Sequence, residues 1–106
     1  MITIEQFQQV ELRVGIVKEA AAHPKADRLL VLKVDLGTEE RQIVAGIRAH
    51  YEPDALVGTQ VVVVANLAPA TLRGIRSEGM ILAAGDEAIL GLSGVDRDVP
   101  PGTRVR

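Results

Sequence analysis

The chain has no cysteine and no tryptophan, and its 106 residues include one phenylalanine and one tyrosine, Phe7 and Tyr51. Without cysteine there is no disulfide, no thiolate zinc site and no cysteine nucleophile, a composition that fits a reducing compartment. With so few aromatic rings, no platform of stacked side chains can hold the bases of a single strand. No apolar run approaches the roughly 18 residues that a membrane-spanning helix needs. The start, "MITIEQFQQVELR", lacks a basic stretch followed by an apolar one, so it does not read as a secretory signal. The expectation is a cytoplasmic protein with no membrane partner. Excess positive charge is missing as well: 12 basic against 14 acidic residues leave a formal net charge of −2. That balance excludes a non-specific nucleic-acid glue. Any polyanionic partner must be held by a local patch.

Catalytic and cofactor signatures are also missing. Neither G-x-x-x-x-G-K-[ST] nor a helix-opening G-x-G-x-x-G occurs, so there is no loop to cradle an NTP or a dinucleotide. His23 and His50 lie far apart with no ligand partner at helical or strand spacing, and both read as surface loop histidines rather than metal ligands. Ser77 has no histidine near it in sequence and no G-x-S-x-G elbow around it. The reading is a non-enzyme with no cofactor and no metal.

What the sequence does have is aliphatic patterning, with 47% of residues hydrophobic. Its length suits one compact domain. Thr3, with Gln6 three residues on, forms a capping-box pattern that opens a short N-terminal helix. From Leu12 the period changes to two: Leu12, Val14 and Ile16 alternate with Arg13, Gly15 and Val17, and Gly15 suggests a bulge or sharp bend. His23-Pro24 ends that strand. Leu30, Leu32, Val34 and Leu36 share one face of a second strand. The turn Gly37 to Glu40 leads to a third, "RQIVAG", making a hairpin. Pro53 and Gly58 bracket a short helical segment. "TQVVVVAN" is a fourth strand, whose unbroken valines point to burial on both sides. "MILAAG", "AILGL" and Thr103 to Arg106 supply further short strands. Five or six short strands in one domain predict an all-β barrel.

Between the fourth and fifth strands lies "NLAPATLRGIRSEGM", residues 66 to 80, where Arg73 and Arg76 are framed by Gly74 and Gly79. With "ADRLLVLKVDLGTEERQIVAGI", "LVGTQVVVVA" and "DVPPGTRVR", this stretch closely resembles the tRNA-binding domain family. That family includes the C-terminal domain of many methionyl-tRNA synthetases, part of bacterial phenylalanyl-tRNA synthetase β subunits, and small stand-alone dimeric proteins. The resemblance runs from about Ile4 to Arg106. Its most specific part is N-L-x-P-x-x-L-x-G-x-x-S-x-G-M, met by Asn66, Leu67, Pro69, Leu72, Gly74, Ser77, Gly79 and Met80. It implies an oligonucleotide-binding (OB) fold, a five- to six-stranded Greek-key barrel over about residues 9–93. A C-terminal extension, 94–106, would serve dimerisation. It further implies tRNA as partner, a homodimer, and an aminoacyl-tRNA synthetase as a further partner. A relative regarded as an export-related chaperone supplies the rival, a protein-interaction module of the same fold.

The scarcity of aromatics narrows how RNA could be held: by phosphate and sugar contacts from Arg, Lys and backbone N–H groups, suited to a folded RNA read by shape. The candidate residues follow from that. Arg73 and Arg76 supply charge in an RNA-facing loop, and Gly74 and Gly79 let backbone approach. Lys25 and Arg28 lie in the loop between the first two strands, and Lys33 lies on the polar face of the second. Ser77 either donates to a phosphate or holds its own turn. Asn66 satisfies loop backbone groups or touches RNA. Met80, by resemblance, is part of the tRNA surface, and Glu78 points away from it.

Overall fold

The computed structural model describes residues Met1–Arg106. Helix α1 (Ile4–Phe7) opens with the capping box that the sequence predicts. The Thr3 hydroxyl accepts from the Gln6 N–H at 3.2 Å, and the Gln6 side chain accepts from the Thr3 N–H at 2.8 Å. Strands β1 (Leu12–Ala22), β2 (Leu30–Asp35), β3 (Glu40–Ala45) and β4 (Gln60–Val64) follow, with helix α2 (Pro53–Leu56) before β4. Then come β5 (Ala70–Leu72), β6 (Ile75–Ser77), β7 (Met80–Ile81), β8 (Ala83–Gly85), β9 (Ile89–Leu92) and β10 (Arg104–Val105).

The main sheet runs β3-β2-β1-β4-β7, with β10 on the part of β1 that β2 does not reach. Its outer edges meet. Glu78 N–H donates to the Gln42 carbonyl at 2.8 Å, Val44 N–H to Ser77 Oγ at 3.0 Å, and the Gln42 side chain to the Arg76 carbonyl at 2.8 Å. β3 is thereby joined to β6 and to the residue beyond it, and the sheet becomes a nearly closed OB-like barrel.

Period two decides what fills it. Leu30, Leu32, Val34 and Leu36 point inward with Ile43, Val61 and Val63. Burying each such aliphatic side chain stabilises the fold by about 1.5–3 kcal/mol. The valine run is buried on both faces, as its lack of alternation predicts: Val62 and Val64 join Leu12 in a second cluster outside the barrel. Phe7, Leu82 and Val105 cover that cluster. Phe7 and Val105, from the two ends of the chain, are thus packed within the single chain. The tail folds onto its own barrel, with Leu12 opposite Val105, and Ile2 and Ile4 remain exposed.

Three expectations change. The bulge in β1 falls between Val17 and Glu19, not at Gly15. Gly15 is required for space instead, because a Cβ there would collide with the Val34 side chain. "MILAAG" is not one strand: β7 pairs with β4, and β8 leaves to form its own hairpin with β9. The 66–80 stretch is not simply a loop, since β5 and β6 form a hairpin within it.

Candidate nucleic-acid interface

The β5–β6 hairpin turns at Arg73-Gly74, with φ of 51° and 86°. Two positive φ values in a two-residue turn are those of type I′, which matches the right-handed twist of the strands. Glycine takes that conformation without cost. Arg73 is the one residue other than glycine with positive φ in the chain. A left-handed backbone costs an L-residue with a Cβ about 1–2 kcal/mol, and backbone held in such a state concentrates at functional sites. The turn therefore presents an exposed guanidinium against the local preference for asparagine or glycine.

Beside it lies the β1–β2 loop. Arg28 and Arg73 line one concavity of about 380 Å³, with Ala26, Asp27 and Leu29. Arg28 also borders a second of about 320 Å³, with Gly46, Ala49, His50, Glu87, Ala88 and Ile89. Lys25 is exposed on the same loop. The loop is braced from behind by Arg48, whose backbone N–H donates to the Arg28 carbonyl at 3.3 Å and whose Nη1 donates to the Ala26 carbonyl at 3.3 Å. None of Lys25, Arg28, Arg73 and Arg76 has a carboxylate within 4.0 Å. These cations can bind an anion without first breaking an ion pair.

The other candidates are placed differently. Lys33 sits on the outer face of β2, paired with Glu19 at 3.6 Å and opposite Gln42, whose amide reaches the Arg76 backbone. Lys33 and Arg76 thus flank one stretch of the barrel wall. Ser77 is 5% exposed, and its hydroxyl accepts from Val44 N–H at 3.0 Å and donates to the Gly79 carbonyl at 3.1 Å. A hydroxyl has one hydrogen to give, and here it is already given within the fold. Asn66 is exposed, yet its side chain accepts from Glu11 N–H at 2.8 Å and donates to the Gln9 carbonyl at 2.7 Å. It pins the N-terminal segment and lies outside the Arg28–Arg73 concavity. Gly79, at φ 150°, is buried against the Val64 carbonyl, 3.1 Å from where a Cβ would sit. Gly74 faces open space. Met80 begins β7 opposite Val64 and is exposed.

Two residues passed over or misplaced in the sequence matter here. His23 is not on the surface: it is 2% exposed, and its ring links the β1–β2 loop to Leu72. Arg41 donates to the Ala65 carbonyl at 2.6 Å and the Glu78 carbonyl at 3.2 Å while pairing with Glu39. It fastens the ends of the 66–78 excursion to β3. Neither has a periodic signal, because the acceptors across the fold are backbone carbonyls. No cluster of three or more histidines, cysteines or carboxylates is arranged to hold a metal ion, and no helix is long and apolar enough to cross a membrane.

The family described as "Putative tRNA binding domain" matches residues 12–104. The chain is 55% identical to the methionine–tRNA ligase of Deinococcus radiodurans, over 100% of the chain and 16% of the ligase. It is 52% identical to that of Bacillus subtilis, over 99% of the chain and 16% of the ligase. It therefore spans about a sixth of the length of these relatives. Among solved structures, a protein related to methionyl-tRNA synthetase from Pyrococcus horikoshii superposes with a TM-score of 0.92 at 35% identity, covering 100% of this chain and 98% of that one. The chaperone CsaA of Bacillus anthracis superposes with a TM-score of 0.90 at 30% identity, over 100% and 99% of the two chains. The chain belongs to the tRNA-binding domain family.

Proposed function

We propose that this domain binds tRNA without catalysis, by phosphate and sugar contacts to a folded RNA, through the edge formed by Lys25, Arg28, Arg73 and Arg76. The observation that carries this reading is the convergence of Arg28 and Arg73, from separate segments, on one concavity with neither paired to a carboxylate. Phosphates need such donors, and shape is read by their spacing. Ser77, Gly79 and Asn66 act from within: they hold the hairpin base and the N-terminal segment in place. Lys33 and Met80 extend the surface along the barrel. The domain works either alone as a dimer or as the C-terminal appendage of a methionyl-tRNA synthetase. The exposed Ile2 and Ile4, beside a groove walled by Phe7 and Val105, would meet their counterparts across a two-fold axis.

Affinity for bulk tRNA, measured across a salt series against an unstructured RNA of equal length, tests the reading. If a dimer engages about six phosphates, log K falls against log salt with a slope of roughly −4 to −5. Each phosphate-contacting cation that is removed lowers that slope by about 1. Arg28→Glu with Arg73→Glu abolishes binding while the melting curve stays unchanged. A slope near zero, or unaltered binding by the folded double variant, refutes it. The likeness to CsaA chaperones supports the rival of a peptide-binding module; the higher identity to methionine–tRNA ligases favours RNA. Capture of unfolded peptide with no tRNA binding at low salt would reverse that preference.

A further inference from the structure

We infer that His23 is a positioning residue for RNA binding, holding the Arg73 turn in register with the Lys25–Arg28 loop. The inference rests on the reading of that basic edge as the RNA site. The Lys25 N–H donates to His23 Nδ1 at 3.0 Å, so that nitrogen carries no proton in this arrangement. Nε2 then bears the hydrogen and donates to the Leu72 carbonyl at 3.1 Å. One ring, 2% exposed, thereby joins the backbone of Lys25 to the residue before Arg73.

The hairpin has little else to hold its tip. Apolar packing at the tip is confined to Leu72, 38% exposed, and its half-buried cross-strand partner Ile75, while Ala70 and Thr71 are exposed. The hairpin's other hydrogen bonds to the barrel, from Gln42 to the Arg76 carbonyl and from Val44 to Ser77 Oγ, secure the base on β3. The β1–β2 loop, by contrast, keeps independent braces: His23 N–H to the Leu29 carbonyl, and Arg48 to the Arg28 and Ala26 carbonyls. Loss of the ring therefore frees the turn more than the loop. Arg28 and Arg73 line one concavity, and their like charges favour separation. Without the tether the two guanidinium groups are held together by nothing on the tip side, and a folded RNA meets two arms of undefined spacing.

The test is a double-mutant cycle on bulk-tRNA affinity, with Arg28→Ala, Arg73→Ala and both together, made in the natural chain and in His23→Ala. Folding of every variant is checked by circular dichroism and by NMR dispersion. His23→Ala weakens binding about tenfold, within the range of coupling between neighbouring groups. The non-additivity between Arg28 and Arg73 disappears in that background, which loss of stability alone would not cause. His23→Gln, whose amide N–H falls near the Nε2 position, restores most of the affinity. His23→Asn, which replaces only the Nδ1 acceptor, behaves like alanine and takes its place should the alanine variant not fold. A folded His23→Ala protein with natural affinity, or with the Arg28–Arg73 coupling intact, overturns the inference while leaving the site reading standing. If Arg28→Ala and Arg73→Ala have no effect with His23 present, the site reading itself fails and the positioning role falls with it.

Discussion

Ser77→Ala separates a ligand-contacting hydroxyl from a structural one. The Ser77 side chain is buried between β3 and the turn into β7, and it makes two hydrogen bonds, with Val44 N–H and the Gly79 carbonyl. Alanine removes both partners' counterpart at once and admits no water in its place. A buried donor or acceptor left unsatisfied costs about 1–3 kcal/mol, so the pair predicts a loss of about 2–6 kcal/mol. For a domain of this size each kcal/mol shifts the midpoint by roughly 4–8 °C, which puts the fall in Tm at about 8 °C or more. With no tryptophan in the chain, calorimetry or far-ultraviolet circular dichroism is the suitable readout. At a temperature where the variant is folded, tRNA affinity stays within about threefold of the natural protein, because the hydroxyl's single hydrogen is already used by Gly79. A variant that melts like the natural protein and binds at least tenfold more weakly would show that the hydroxyl faces the RNA.

Other expectations follow from the same geometry. Leu32→Ala, at a side chain 1% exposed in the barrel interior, costs about 2–5 kcal/mol by urea denaturation; a loss under 1 kcal/mol would mean the site collapses freely. Arg73→Asn relieves the left-handed turn and stabilises the fold by up to about 1 kcal/mol while weakening tRNA binding. If both quantities fall together, the backbone at this turn is not strained. If the proposed homodimer forms through Ile2 and Ile4, which are exposed in the single chain, Ile2→Asp with Ile4→Asp lowers the mass in sedimentation equilibrium to that of a monomer. An unaltered mass would place any dimer interface elsewhere.

Much of the scaffold is visible in the sequence because its cause is local. Alternating Leu30, Leu32, Val34 and Leu36 can bury one face only as a strand, Pro53 opens a short helix, and four consecutive valines have no polar face to leave in water. The site is less legible. Lys25, Arg28 and Arg73 stand out as basic loop residues, but the meeting of Arg28 with Arg73 depends on how the barrel closes. The residues that enforce it, His23, Arg41 and Arg48, reach backbone carbonyls at Leu72, Ala65, Glu78 and Ala26. Every residue offers a carbonyl, so such partners leave no trace in composition or spacing. The Arg73-Gly74 hairpin had a faint signal, a glycine in a two-residue turn between "ATL" and "IRS". The arginine, an unfavoured occupant of that turn, obscured it.

That unfavoured occupant fits the charge distribution of the whole molecule. With a net charge of −2, the protein as a whole does not attract a polyanion at long range. Several cations are neutralised where they stand: Arg13 by Glu11, Arg41 by Glu39, Lys33 by Glu19 and Arg97 by Asp96. Eight cations have no such partner, and of these Arg28 and Arg73 are the two that line one concavity together. Asp27 and Glu87 border the same depressions and repel phosphate. On the proposed reading, an RNA backbone passes two carboxylates to reach these cations, whose spacing is set by the loop and the hairpin that carry them. A flexible strand can meet that pattern only by losing conformational freedom as it binds, whereas a pre-folded RNA of matching curvature brings its phosphates already arranged. Affinity in such a site depends on spacing more than on total charge. A reversal at Asp27, Asp27→Lys, should accordingly raise affinity for unstructured RNA more than for tRNA, and equal gains for both would show that charge alone, not spacing, governs the site.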